Sequence, residues 1–240
     1  MVRLYVSPEK LQSARAALDE AAHRHLVKVL RLGVGARLQL FDGRGAAVDA
    51  IIVSLGKASV EVELGERHLV AAPACTITLL QSVPRGERMD FIVQKTTELG
   101  VARIVPVLTE FGMVRPPPGR NRRWRTIAEE AARQCGRADV PAIDECTELG
   151  AALAQLSGQE GARVLLWEDE QRKSFRSALA DDPQSVVLLV GPEGGFSSAE
   201  VAAAASAGFV STSLGPRILR TETAAMVAVA LAQAAAGGLD

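Results

Sequence analysis

The sequence contains few of the residues from which metal and redox sites are built. Its 240 residues include three cysteines and three histidines, and no pair of cysteines has the C-x-x-C spacing of a metal or redox motif. A structural zinc site needs four such ligands, so no metal is expected. Because disulfide-bonded proteins are usually exported, this cysteine usage favours reduced thiols in a cytoplasmic protein.

Long hydrophobic runs and export signals are also missing. The longest apolar stretch, residues 224–236, includes Gln233 and covers roughly three and a half helical turns, which is too short for a membrane span. The N terminus lacks a charged segment followed by an apolar core and a cleavage site. We therefore expect a globular cytoplasmic protein without membrane contact.

Two common nucleotide signatures are absent, since there is neither a P-loop lysine nor a G-x-G-x-x-G at the first strand-to-helix turn. The chain has instead two glycine-rich segments that follow apolar runs, VVLLVGPEGGF at 186–196 and SLGPRILRTETAA at 213–225. Glycines just past the carboxyl ends of strands let a ligand approach the backbone, because they lack a Cβ. The pair predicts a small-molecule site built largely from main chain, although ordinary turns would explain either segment alone.

Each glycine-rich segment runs into a predicted helix start. Ser197 and Glu200 have the spacing of a capping box, and Thr221 and Thr223 are suitable caps before Ala224. This repetition makes coincidence a weaker explanation of the glycines.

A change of pattern near residues 71–73 predicts two domains, 1–72 and 73–240. The first has short alternating apolar segments separated by turn residues, which are typical of a small β-barrel. Its strands are predicted at 38–41, 47–53 and 59–64. A helix is predicted at 19–30, and the alanines of residues 11–17 also indicate helix.

The second domain alternates apolar runs with helical patterns, which predicts an α/β fold with a mostly parallel sheet. Its strands are predicted at 76–83, 103–108, 163–167, 185–190 and 210–214. Its helices are predicted at 86–99, 122–137, 173–179, 199–207 and 222–236. Gly100 is expected to end the first of these helices and Asn121 to cap the second.

The net charge of −1 hides an asymmetry along the chain. Residues 1–140 carry 21 basic and 15 acidic side chains, a net +6, whereas residues 141–240 carry 6 and 13, a net −7. The densest basic stretch, 115–137, contains seven arginines: Arg115, Arg120, Arg122, Arg123, Arg125, Arg133 and Arg137. Such a surface attracts a polyanion such as RNA, and a solvated helix face is the alternative. The candidate phosphate contacts of the first domain lie on its predicted helix: Arg24, Lys28 and Arg31.

The last predicted helix is apolar nearly all round at residues 224–232. A helix of this kind is enclosed by its own domain or by a second subunit. We expect a homodimer in which this helix packs close to the partner, with enclosure inside one chain as the alternative.

Four segments, in order along nearly the whole chain, carry a family resemblance. They are RHLVKVLR at 24–31, DFIVQKTTELGV at 90–101, GPEGGF at 191–196 and LGPRILRTETA at 214–224. With these segments the sequence resembles the RsmE family, bacterial 16S ribosomal RNA uridine N3-methyltransferases of the SPOUT superfamily.

The resemblance implies a PUA-like RNA-binding domain followed by a methyltransferase domain that contains a trefoil knot, in a cytoplasmic homodimer. The implied cofactor is S-adenosylmethionine, bound bent in the glycine-rich loops, with Leu214, Ile218 and Leu219 flanking its adenine. The implied cofactor-binding residues are Leu166, Val190, Gly191, Pro192, Glu193, Gly194, Gly195, Leu214, Gly215, Ile218, Leu219 and Thr221. The implied partner is 16S rRNA, free or within the 30S ribosomal subunit.

The implied reaction predicts catalytic side chains near the transferred methyl group. Glu193 is the candidate base for the N3 proton of the uridine, and Arg217 and Arg220 are candidate cations for the developing charge or for phosphate. In the structural alternatives Glu193 caps its turn, and Arg220 pairs with Glu222 or Glu193. The candidate RNA contacts of the second domain are Arg122, Arg123 and Arg125.

Two other functions stay open at this point. One is an RNA-binding protein without catalysis, which would use the basic surfaces and have no need of the pocket. The other is a SPOUT methyltransferase that acts on a different RNA site, which the two loops alone do not exclude.

Overall fold

A computed structural model of the chain describes residues 1–71, 73–112, 116–170, 172–179 and 182–239. Contacts within the chain define two compact units. The N-terminal unit comprises Met1–Ala72 and Glu129–Val140, and the C-terminal unit comprises Pro73–Ala128 and Pro141–Asp240. Two residues of the predictions lie outside the described residues, namely the boundary residue Ala72 and Arg115 of the arginine-rich stretch.

The N-terminal unit is built on a five-stranded sheet. Its strands are β1 (Val2–Tyr5), β2 (Arg15–Leu18), β3 (Arg37–Phe41), β4 (Ala46–Leu55) and β5 (Val60–Leu69). Their order is β1-β3-β4-β5-β2, with β1 parallel to β3 and the other neighbours antiparallel. Alternate side chains such as Leu38 and Leu40 are fully buried, as the period of two requires, and pack with Ile52, Val60 and Val62 in one core.

The helix predicted in the N-terminal unit has two geometries. It begins as α1 (Glu20–His23) and continues in wider π-helical turns over Arg24–Val29. The side chain of Asp19 caps it by accepting a hydrogen bond of 2.9 Å from the amide of Ala22. Leu26 is fully buried and fixes the inner face of this helix.

The C-terminal unit is built on a seven-stranded sheet in which the neighbouring strands are parallel. Its strands are β6 (Thr76–Ser82), β7 (Arg103–Leu108), β8 (Ala142–Ile143), β9 (Thr147–Glu148), β10 (Ala162–Leu166), β11 (Ser185–Val190) and β12 (Val210–Thr212). The order is β12-β10-β11-β6-β7-β8, and β9 also pairs with β7. The strands are almost continuously apolar because helices cover both faces of such a sheet, which confirms the predicted α/β class.

The helices of the C-terminal unit start and end near the predicted positions. They are α2 (Arg88–Glu98), α3 (Arg120–Cys135), α4 (Leu149–Gln155), α5 (Ser198–Ser206) and α6 (Thr221–Ala235); the last residues of α3 belong to the N-terminal unit. The capping box of Ser197 and Glu200 is confirmed, with both reciprocal hydrogen bonds present. Gly100 follows the end of α2 with φ of +93°, as expected of a glycine at that position.

Two predicted caps are wrong. Asn121 lies inside α3, and its amide donates to the carbonyl of Asp144 at 2.6 Å. Arg220 is the cap of α6, so Thr221 is the first helical residue and its hydroxyl is directed to another part of the chain.

Other differences concern short elements. The alanines of residues 11–17 indicated helix, but β2 forms there because it pairs with β5, and a short 3₁₀ helix precedes it at Pro8–Leu11. The helix predicted at 173–179 is a single 3₁₀ turn at Arg176–Ala178. Strands β1, β8 and β9 and helix α4 were not predicted. No helix within the described ranges has the length and hydrophobicity to cross a membrane.

Helix α6 is enclosed on one side within its own unit. Ala225, Ala228, Val229 and Ala232 are fully buried there. Leu231 on another face is 43% exposed. Enclosure within one chain is therefore incomplete.

Candidate functional site

The carboxyl ends of four parallel strands lie side by side in the C-terminal unit. The register pairs Leu166 of β10 with Val190 of β11 and with Thr212 of β12, and it pairs Val190 with Gln81 of β6. Both glycine-rich segments leave the sheet at this edge, because they follow β11 and β12 directly. Ligands of open α/β sheets bind at such an edge.

A cavity of about 710 Å³ opens between the two glycine-rich segments. Its lining comprises Leu166, Trp167, Glu168, Glu170, Val190, Gly191, Pro192, Glu193, Gly195, Thr212, Ser213, Leu214, Gly215, Pro216, Arg217, Ile218, Leu219, Arg220, Thr221 and Ala224. The volume lies within the roughly 300–1,000 Å³ of small-molecule sites. The structure thus brings together around one cavity all but one of the residues named above for the cofactor.

The exception is Gly194, which does not belong to the lining. A Cβ at Gly194 would come within 2.9 Å of the Cβ of Phe111, so this glycine permits a close approach of the loop after β7. Its absent side chain therefore serves packing behind the loop and not access to the cavity.

The first glycine-rich loop is held tightly at both of its ends. The amide of Gly195 donates to the carbonyl of Pro192 at 3.1 Å, and Gly195 has φ of +71°, which favours glycine. A Cβ at Gly191 would lie 2.9 Å from the ring of Phe196, which is itself buried in the core. The loop backbone has little freedom to move away from the cavity.

The second glycine-rich loop is much more open to solvent. Ile218 is 86% exposed, and Arg217 and Arg220 are exposed beside it. Neither arginine forms an ion pair within the described part of the chain, so Arg220 pairs with neither of the carboxylates weighed for it, Glu222 and Glu193. Both guanidinium groups are therefore available at the mouth of the cavity.

The carboxylate of Glu193 is held by a residue that the sequence did not single out. Arg88, the first residue of α2, donates a hydrogen bond to it and forms an ion pair. Both side chains are partly exposed, 42% for Arg88 and 33% for Glu193. An opposite charge stabilises the ionised carboxylate, which makes Glu193 a weaker base while the pair persists.

Sequence reasoning also missed several residues that line the cavity. Trp167, Glu168 and Glu170 follow β10, and Thr212 ends β12. The rule that places ligands at the carboxyl edge would have found them, once β10 was recognised as the neighbour of both β11 and β12. Together with Glu193, the two added glutamates give the cavity three carboxylates.

The candidate RNA contacts differ in how far they are already paired. In the N-terminal unit Arg24, Lys28 and Arg31 are all exposed, and Arg24 alone has an ion pair, of 3.4 Å to Glu20. In the C-terminal unit Arg122 is exposed and has no ion pair among the described residues.

The other two arginines of that helix contact carboxylates of their own unit. Arg123 pairs with Asp90 at 2.6 Å, and Arg125 pairs with Glu145 at 3.0 Å. Within the described ranges no cluster of three His, Cys, Asp or Glu side chains is placed to hold a metal ion. The pKa of the Cys75 thiol is raised, first by burial and then by the charge of Asp182.

Comparison with known proteins agrees with the geometry of the cavity. Residues 71–233 match the RNA methyltransferase domain, and residues 18–65 match the RNA methyltransferase PUA domain. The chain is 32% identical over 95% of its length to the ribosomal RNA small subunit methyltransferase E (RsmE) of Synechocystis, of which it covers 76%. This chain belongs to the RsmE family.

Other RsmE proteins are similar over nearly the whole chain. The Mycobacterium bovis protein is 30% identical over 94% of this chain and 88% of its own. The crystal structure of RsmE from Neisseria gonorrhoeae, bound to S-adenosyl methionine, superposes with a TM-score of 0.88 at 35% identity, covering 98% of this chain and 97% of that chain. Family membership confirms the predicted RNA methyltransferase class and the PUA-like domain ahead of it.

Proposed function

We propose that this RsmE-family protein transfers a methyl group from S-adenosylmethionine to N3 of one uridine in the 16S rRNA of the small ribosomal subunit. The observation that supports it most is the cavity at the carboxyl edge of the sheet, which both family motifs line. Residues 1–72 are the proposed RNA-binding domain and residues 73–240 the proposed methyltransferase domain. The proposed compartment is the cytoplasm, where rRNA is found.

The residues around the cavity fit the methyl donor. Leu214, Ile218 and Leu219 offer apolar surface for the two faces of an adenine, and Gly191 and Gly195 offer backbone without a Cβ. The carboxylates that line the cavity suit a ligand with a positively charged sulfonium and an amino group. When bound, S-adenosylmethionine supplies an electrophilic methyl group, whose bonding electrons stay on sulfur after transfer.

The chain has to orient the uridine and manage one proton. N3 is a poor nucleophile while it carries its proton, and it lies on the pairing edge of the base, so the base must be presented unpaired. Arg217 and Arg220 stabilise the negative charge that develops on the uracil as the N3 proton leaves. Glu193 accepts this proton only after it is released from Arg88, because the ion pair weakens it as a base.

The RNA is bound through the basic side chains of both units. Arg24, Lys28 and Arg31 are the proposed phosphate contacts of the N-terminal unit, and Arg122, Arg123 and Arg125 those of the C-terminal unit. Because Arg122 has no ion pair to break, it gains most from a phosphate. Arg122→Gln should lower the slope of log K against log salt by about 0.7–0.9 for each phosphate lost. The exposed Arg176, changed to Gln, is the control, and equal slopes for both variants would remove Arg122 from the RNA surface.

A homodimer is proposed through the C-terminal unit. The open face of α6 carries Leu231, which is 43% exposed, together with half-buried Met226 and Val227. A second copy is the proposed cover for this face. Light scattering should give twice the chain mass of 25.3 kDa, and Leu231→Glu should shift it toward one chain. A single chain at micromolar concentration would contradict the dimer.

The proposed activity is tested by nucleoside mapping. Cells that lack this protein should lose 3-methyluridine at one position of 16S rRNA and regain it with the wild-type gene. Methylation lost at another RNA would point to a different target of the same enzyme class. If no modified nucleoside is lost and calorimetry finds no binding of S-adenosylmethionine, the protein binds RNA without catalysis.

A further inference from the structure

Gln81, a buried polar residue that does not line the cavity, is bonded to one that does. It lies near the end of β6, is fully buried, and pairs in register with Val190 at the end of β11. Its amide nitrogen donates to the carbonyl of Ser82 at 2.9 Å and to the hydroxyl of Thr221 at 3.0 Å. Thr221, 4% exposed, is the first residue of α6.

The direction of each hydrogen bond in this network is determined. The Thr221 hydroxyl is 2.6 Å from the carbonyl of Gly191, which can only accept, so the single hydroxyl proton is donated there. The hydroxyl must then accept from Gln81, whose nitrogen faces it. The amide of Gln81 therefore fixes the direction in which Thr221 donates.

The network joins the two loops that form the cavity. Gly191 begins the first glycine-rich loop, and Thr221 ends the second where α6 starts. The two residues are 30 positions apart in sequence and both line the cavity. In a buried environment with few competing waters, such a chain of hydrogen bonds holds its members in one arrangement.

We infer that Gln81 is a positioning residue of the methyl-donor cavity, which acts through Thr221 to hold the Gly191 carbonyl and the two loops in the binding arrangement. The inference rests on the proposed function of the cavity. Gln81 itself makes no contact with the donor.

The decisive variant is Gln81→Glu. Above the pKa of the introduced carboxyl, the carboxylate cannot donate to Thr221, and it competes for the hydroxyl proton that Gly191 normally accepts. Burial raises the pKa of such a carboxyl, and its protonated form is again a donor. Affinity for S-adenosylmethionine should therefore be lost at high pH and recovered as the pH falls.

The measurement is calorimetric titration of S-adenosylmethionine into the full-length protein from about pH 5.5 to 8.5. We expect the dissociation constant of Gln81→Glu to be about tenfold above wild type at the alkaline end, equal to about 1.4 kcal/mol. The ratio should fall toward one at the acidic end. Gln233→Glu is the matched control, because Gln233 is also buried on the same unit, but its amide bonds the carbonyl of Gly100 away from the cavity.

The outcomes separate the two proposals. Wild-type protein without binding would refute the donor cavity itself. Wild-type binding with a pH-independent ratio for Gln81→Glu, or the same pH dependence in Gln233→Glu, would refute the role of Gln81. If Gln81→Glu does not fold, Gln81→Met removes the donor without adding charge. It should bind about tenfold more weakly at every pH, and wild-type affinity in this variant would refute the inference.

Discussion

The substitution Gly191→Ala tests whether the first loop forms a tightly packed wall of the cavity. Gly191 does not have a positive φ, so alanine adopts its backbone conformation without strain. The new Cβ, however, would lie 2.9–3.3 Å from three ring atoms of Phe196, which is 7% exposed and packed in the core below the loop. Ring and loop must then move apart.

Overpacking of this kind costs about 2 kcal/mol, which lowers the unfolding midpoint of a chain this long by about 4–8 °C. The same movement displaces the Gly191 carbonyl and should weaken S-adenosylmethionine about tenfold, or about 1.4 kcal/mol. Thermal unfolding and calorimetric titration measure the two effects.

Gly150→Ala is the control, because Gly150 lies exposed in α4 and a Cβ there meets no atom within 4 Å. It should leave affinity unchanged and stability unchanged or slightly higher. If Gly191→Ala binds the donor as wild type does and unfolds at the same temperature, the packing argument for this loop is refuted.

Three further predictions concern catalysis and stability. Arg220→Ala should lower kcat about 10²–10³-fold in single-site assays while donor affinity changes little; equal losses in both would remove this cation from the chemistry. Asp90→Ala should destabilise the fold by about 2 kcal/mol in denaturant titrations, because it leaves the N–H of the buried Trp124 without its acceptor at 3.0 Å, whereas Asp90→Asn should cost less. Burial raises the pKa of Asp139, but the hydrogen bond and charge of Arg137 outweigh it and hold that pKa below its usual value. The resulting stability is present above about pH 4 and is lost as the pH falls through the lowered pKa, so Asp139→Asn should flatten the acid side of the stability profile.

The sequence predicted the elements whose pattern is local. The strands of the C-terminal unit are short apolar runs, and α5 carries its own start signal in the capping box of Ser197 and Glu200. Such features are encoded within a few neighbouring residues, so the order of strands and helices followed from them.

The elements that were missed depend on distant partners. The strand β2 has two alanines in its four residues and is stabilised by pairing with β5, where Arg15 also meets Glu63 at 3.2 Å. Helix α4 has seven residues and includes Gly150, so its local helical signal is weak.

The candidate site shows the same division. Both glycine-rich loops were found, because glycine after an apolar run is visible in the sequence. The contacts that hold the loops were not found, since Arg88 meets Glu193 across 105 residues and Gln81 meets Thr221 across 140. Only the parallel pairing of β6 and β11 brings these residues together.

A crystal structure of the protein grown with S-adenosylmethionine tests the central claim most directly. The account predicts the adenosyl group between the loop of Gly191 and Gly195 and the loop of Leu214 and Leu219, with the methyl group facing the open side of the cavity toward Arg217 and Arg220. Donor bound at another place, or a cavity filled by protein at saturating donor, would contradict it.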